Sequence, residues 1–164
     1  MVKFSTSLGD IMIELYPDEA PKSVENFVQY VNDGFYDGTI FHRIIPNFVV
    51  QGGGMEPGLQ QKNTRDPIEN EADNGLKNLV ATLSMARTND PNSATSQFFI
   101  NLKNNDFLDH RNKTPSGWGY AVFAKVVDGM HVVEQMAEVA TTTVGPYSDV
   151  PAEDVTLIKA EVVE

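Results

Sequence analysis

The 164-residue chain contains no cysteine. That removes disulfides, thiol nucleophiles and cysteine-based zinc sites. Its histidines, His42, His110 and His131, lie far apart and outside any HExxH pattern, so the spacing points to no metal. No GxSxG elbow is present, so a serine hydrolase has no signature either. No apolar run approaches the length of a membrane span. Asp10 and Glu14 interrupt the stretch where a secretory signal would need a continuous apolar core. A cytoplasmic protein is expected. Positive charge is also scarce: 12 Lys and Arg stand against 23 Asp and Glu, for a formal net charge of −11. Nucleic acid and anionic membranes suit such a chain poorly, which leaves proteins, peptides or small molecules as partners.

With 41% hydrophobic residues, the length fits one domain spanning residues 1–164 with one sizeable core. VKFST and IMIELY alternate like strands and flank a turn at Leu8-Gly9-Asp10, which predicts a hairpin. A helix is predicted from Pro21, with Val24, Phe27, Val28 and Val31 on one stripe and Gly34 as its stop. Strand patterns return at TIFHRII, NFVVQ, NLVATLSMA, SQFFINL, YAVFAKVV and VTLIKAEVV. A second helix is predicted over 129–138. Residues 52–78 are polar and glycine-rich, and read as a long ordered surface excursion. Many strands and two helices predict a mainly β fold, a closed antiparallel barrel with helices over its open ends.

The segment FHRIIPNFVVQGGG contains the informative exceptions. Alternation puts Phe41, Arg43 and Ile45 on one face of the first strand, and Val49 and Gln51 on one face of the second. If the strands are neighbours, a guanidinium and an amide converge. The glycines that follow fail the P-loop test, because Leu59-Gln60 stands where Lys and Ser/Thr belong. A turn with close backbone packing is the better reading. His42 falls on the face opposite Arg43 and reads as a packed structural residue.

One reaction needs no nucleophile, metal or cofactor: rotation about an X–Pro amide. It requires a dry slot for the proline ring and a fixed cation facing the prolyl nitrogen as resonance is lost. Arg43, Gln51, Gln97, Phe99 and the pair Phe107-Leu108 are candidate parts. Each has a plainer reading. Phe48, Val49, Phe99 and Leu108 could be ordinary core. Arg43 could pair with one of the many acids. Gln51 could brace a strand end, and Phe107 and Tyr120 could anchor loops.

FHRIIPNFVVQGGG, LSMART, SATSQFFINL, NDFLDH and GWGYAVFAKVVDGM, in that order, closely resemble the cyclophilin-type peptidyl-prolyl isomerases, most nearly the bacterial cytoplasmic form. The resemblance covers essentially the whole chain. It implies an eight-stranded antiparallel barrel closed by two helices, with no cofactor or metal. It implies that Arg43 is the catalytic arginine, supported by Gln51, which also holds substrate. Phe48, Val49, Phe99 and Leu108 would wall a proline pocket. Ala86 and Arg87 would meet the substrate through their backbone, Gln97 would border a neighbouring groove, and Phe107 and Tyr120 would complete the rim. Val49, Arg87, Phe107 and Tyr120 depart from the eukaryotic pattern, which has methionine, asparagine, tryptophan and histidine there. Loss of the indole donor implies weak cyclosporin binding with catalysis retained. Expected partners are proline-containing peptides and unfolded or client proteins, met by a monomer. Two other readings compete: a module that merely holds proline-containing segments, and a small-molecule hydrolase, for which no nucleophile or metal set is in sight.

Overall fold

The structure, a computed structural model, describes residues 1–163. β1 (Val2–Thr6) and β2 (Gly9–Leu15) form the expected antiparallel hairpin. α1 (Pro21–Asn32) follows, with proline in its first turn, where the missing N–H costs nothing. Then come β3 (Thr39–Ile40), β4 (Arg43–Ile45), β5 (Val49–Gly52), β6 (Met55–Glu56) and β7 (Gln60–Gln61). β8 (Thr82–Met85), β9 (Phe98–Asn101) and β10 (Val122–Asp128) lead to α2 (Met130–Met136). β11 (Thr141–Val144), β12 (Tyr147–Pro151) and β13 (Thr156–Val162) complete the chain. Among the described residues no helix is long and apolar enough to cross a membrane.

Eleven strands form one antiparallel sheet in the order β4-β5-β9-β8-β10-β2-β1-β13-β3-β6-β7. The sheet curls so far that β3, near one end of the order, runs into β4 at the other across Phe41 and His42 alone. TIFHRII is thus one strand pattern bent in the middle: its first half pairs with β13 and its second with β5. That bend and the short β6–β7 pair make the strands more numerous than the eight expected. Register shifts in β1–β13, β10–β2 and β10–β8 add the local twist that a curled sheet needs.

The concave interior is apolar. Ile44, Val50, Phe98, Ile100, Leu83 and Met85 point inward from β4, β5, β9 and β8 and are fully or nearly fully buried. α1 covers one opening and inserts Phe27 among Phe4, Tyr36, Phe98 and Phe123, with ring centroids 5.0–6.1 Å apart. The stripe on α1 is Val24, Phe27, Tyr30 and Val31, while Val28 is only partly buried. α2, shorter than predicted, packs Val132, Val133 and Met136 inward.

The excursion over 52–78 is tied down along its length. Glu71 accepts from the Lys22 and Ser23 amides at 3.2 and 2.6 Å and from the Ser23 hydroxyl at 2.8 Å. It therefore caps the N-terminus of α1, which has no side-chain cap of its own. The Arg65 amide donates to the Tyr30 hydroxyl, and Ile68 bonds the Ala94 carbonyl. The glycines after β5 are needed for close approach. A Cβ on Gly53, where φ is +92°, would lie 2.7 Å from the Phe98 ring, and one on Gly54 would lie 2.5 Å from the Gln97 side chain.

Candidate active site

The outer face of the curled sheet carries what alternation keeps out of the core. Arg43 lies opposite Gln51, Gln51 opposite Phe99, and Phe99 opposite Ser84, so one row crosses β4, β5, β9 and β8. Side chains on such a row share a face. Arg43 donates from Nη1 to Gln51 Oε1 at 3.2 Å, and Gln51 Nε2 donates to Gln97 Oε1 at 3.0 Å. The guanidinium is thus aimed by an amide that is itself held by a second amide. No carboxylate lies within 4 Å of Arg43 among the described residues. The ion-pair reading of this arginine fails, since its hydrogen bond goes to an uncharged amide.

Beside this row Val49, Phe99 and Leu108 form a small apolar cluster separate from the main core, with Phe48, Ala86 and Tyr120 packed against it. Together with Arg43, Gln51, Arg87 and Phe107 they line a cavity of about 360 Å³. Phe107 is 56% exposed at its mouth and stacks on Phe48 at 5.6 Å. Tyr120 meets Phe99 edge-on at 5.5 Å. A second cavity of about 330 Å³ adjoins the first and shares Gln51, Ala86 and Arg87 with it. Gln97 lies there and not in the first cavity. All eleven residues expected from the sequence therefore gather at these two adjoining cavities. The Ala86 amide donates to the Gln97 carbonyl at 3.0 Å, so it is not the group a substrate can use. The Arg87 side chain does more than the sequence implied: its guanidinium lies 4.7 Å from the Tyr120 ring centroid.

His42, one place before Arg43, points inward and is 6% exposed. Burial, and secondarily the Arg43 charge, push its pKa down to about 4. It is neutral at physiological pH and outside the cavity, as the alternation implied.

The sequence reading missed a buried polar layer behind the apolar cluster. Asn78 accepts from the Ser84 hydroxyl at 2.5 Å and from Asn101 Nδ2 at 3.1 Å, and donates to the Leu108 and Tyr120 carbonyls at 3.2 and 3.3 Å. Asn105 donates to Asn101 Oδ1 at 2.9 Å and to the Phe48 carbonyl at 3.0 Å. Three cavity walls are thus fastened to β8 and β9 through side-chain amides. An asparagine carries no periodic signal and looks like a turn former in sequence, so only the tertiary contacts reveal it.

The site is thus an arginine and a glutamine beside an aromatic-walled slot, carried on the outer face of a curled, mainly β sheet with two helices. The family model for cyclophilin type peptidyl-prolyl cis-trans isomerases matches residues 1–162, and the chain belongs to that family. It is 55% identical over 164 residues to peptidyl-prolyl cis-trans isomerase B of Escherichia coli, covering all of both chains. It is also 55% identical over 161 residues to a peptidyl-prolyl cis-trans isomerase of Streptomyces antibioticus, covering 98% of this chain and 97% of that one. Among solved structures, a Cryptosporidium parvum cyclophilin type isomerase, crystallised in the presence of the dipeptide Ala-Pro, aligns with a TM-score of 0.84 at 27% identity. That alignment covers 99% of this chain and 98% of the other.

Proposed function

We propose that this isomerase works by non-covalent stabilisation of the twisted X–Pro amide, with the apolar cavity holding the proline ring and Arg43 facing its nitrogen. The planar amide resists rotation by roughly 18–20 kcal/mol. At the top of that barrier the prolyl nitrogen has lost resonance and can accept a hydrogen bond. A guanidinium donor placed there binds the transition state better than either planar isomer, and each 1.36 kcal/mol of that difference is worth about tenfold in rate. Gln51 orients Arg43 and holds the chain of the substrate. Phe48, Val49, Phe99, Leu108 and Tyr120 wall the slot, and Phe107 borders its mouth. The observation that carries this reading is the Arg43–Gln51 bond beside a cavity with aromatic and aliphatic walls, with no carboxylate within 4 Å of the cation among the described residues. No cofactor is needed.

The test is exchange on a short Xaa-Pro peptide with wild type and Arg43→Ala. Arg43→Ala should lower kcat/KM by about 10²–10³-fold, with peptide binding little changed. A folded variant with full activity would sink the assigned mechanism, and an inactive wild type would sink the enzymatic reading. A module that only holds proline-containing segments would need the aromatic slot but not the unpaired arginine. We further propose that one isomerase domain over 1–164 acts as a cytoplasmic monomer on unfolded or client proteins and assists slow folding steps.

A further inference from the structure

Arg87 is a second cation that the acidic surface leaves unneutralised. It lines both the proline cavity and the adjoining groove. Its Nε donates to the Gly119 carbonyl at 3.0 Å, Nη1 to the Thr88 carbonyl at 2.8 Å and Nη2 to the Pro115 carbonyl at 3.2 Å. Together with the Tyr120 ring, those carbonyls fix the guanidinium in place, yet they cancel none of its charge. Three of its five N–H groups are used, which leaves two for a ligand. No carboxylate lies within 4 Å of Arg87 among the described residues, and acids on the surrounding segments have partners of their own, including Glu69, which shares a small cavity with Arg87. Glu69 pairs with Lys22 at 2.7 Å, Glu71 caps α1, Asp73 lies 3.9 Å from Lys113, and Asp90 accepts from the Asn92 amide at 2.9 Å. The rest of the groove presents uncharged side chains, Ala86, the amides Gln51, Gln61 and Gln97 and the hydroxyls Thr64, Thr88, Ser93 and Thr95. Hydroxyls and amides can all donate to a carboxylate, and no anion of the protein itself lines this groove.

We propose that Arg87 is a specificity-determining residue that makes this isomerase prefer X–Pro substrates carrying an acidic side chain one or two positions from the proline. Placed in the first cavity, the proline leaves its flanking residues to run through the groove that Arg87 borders. A fixed guanidinium there attracts a carboxylate and repels an ammonium, and its rigid fork selects the carboxylate geometry. The inference rests on the isomerase reading and deepens it.

The test uses short peptides with Glu, Gln or Lys one or two positions before the proline, and a second set with the same residues after it. At one of these positions wild type should turn over the Glu peptide with a kcat/KM about three- to tenfold above that of its Gln twin, and the Lys peptide should be slowest. Raising the salt should shrink this ratio. In Arg87→Gln the Glu/Gln ratio should fall to about one, whatever happens to the absolute rates, while Arg87→Lys should keep part of it. A wild-type ratio near one at every position would overturn the inference, and so would an unchanged ratio in Arg87→Gln. Calorimetric binding of the same peptides reads the preference without turnover. Failure to accelerate exchange of any peptide would sink the isomerase reading, whereas acceleration with equal rates for the Glu and Gln peptides would sink this inference alone.

Discussion

His42 and Arg43 are neighbours with opposite fates. The first is buried and held neutral and the second faces the cavity, while Phe41, which alternation puts on the Arg43 face, lies in the main core because the strand is interrupted across Phe41 and His42. His42 has a measurable consequence. Its folded pKa, lowered to about 4, lies below the value of about 6.5 expected when unfolded. Above pH 6.5 both states are neutral and the stability is fully present. As pH falls from 6.5 toward 4, the unfolded chain takes up a proton that the folded one refuses, so stability is lost. The loss attributable to this residue should approach about 3 kcal/mol below pH 4. Denaturant unfolding of wild type and His42→Gln at pH 7, 5.5 and 4.5 measures it. Parallel pH dependences in the two proteins would contradict the assignment. Phe107 is a second single-residue case. Its ring at the cavity mouth has no N–H to donate, so cyclosporin should bind weakly. Phe107→Trp should tighten binding in a calorimetric titration, and a low-nanomolar affinity for wild type would refute the argument.

At the scale of elements, the excursion over 52–78 is as well connected as a strand. Its carboxylate at Glu71 completes α1, and its last residue, Asn78, holds two walls of the pocket. Glu71→Ala should therefore destabilise the protein by about 1–2 kcal/mol by leaving the amides of Lys22 and the buried Ser23 without their acceptor. Thermal unfolding checks this, and Glu71→Gln, which keeps an acceptor, should recover part of the loss. An unchanged midpoint for Glu71→Ala would show that α1 does not depend on this cap. The element expectations succeed where one face is buried and fail where it is not. β1 and β2 read cleanly because Val2, Phe4, Ile11 and Ile13 alternate with partly exposed or exposed residues. β11 is exposed along its whole length and carries no apolar alternation, so nothing local in the sequence marks its pairing with β12. NLVATLSMA shortens to β8, since Ala81 adopts φ 74° and ends the extended run.

Across the whole molecule, charge is distributed unevenly relative to function. The chain carries a formal net charge of −11, yet the two guanidiniums at its cavity, Arg43 and Arg87, have no acidic partner among the described residues. The exposed large apolar side chains occur as small groups, such as Leu79 with Val80 and Val144 opposite Tyr147. Mutual repulsion between acidic copies opposes self-association. Sedimentation at micromolar concentrations should give a single species of about 18.1 kDa, and a concentration-dependent rise in mass would contradict the proposed monomer.

The alternation of apolar and polar residues was legible from the chain alone, because each strand's two faces are encoded within a few neighbouring residues. So were the helix at Pro21, the polar exceptions Arg43 and Gln51, and the aromatic residues of the pocket. Tertiary structure decided how those faces meet. Arg43 reaches Gln51 only because β4 pairs with β5 in one particular register, and Phe99 joins them only because β9 lies next in the sheet. Arg43 and Gln51 are only eight positions apart, but the pairing that adds Phe99 links residues 48 positions apart (99 − 51) and leaves no local pattern. The contacts of Asn78 with Asn101 and Leu108 and the carbonyls that fix Arg87 depend on the same long-range approach.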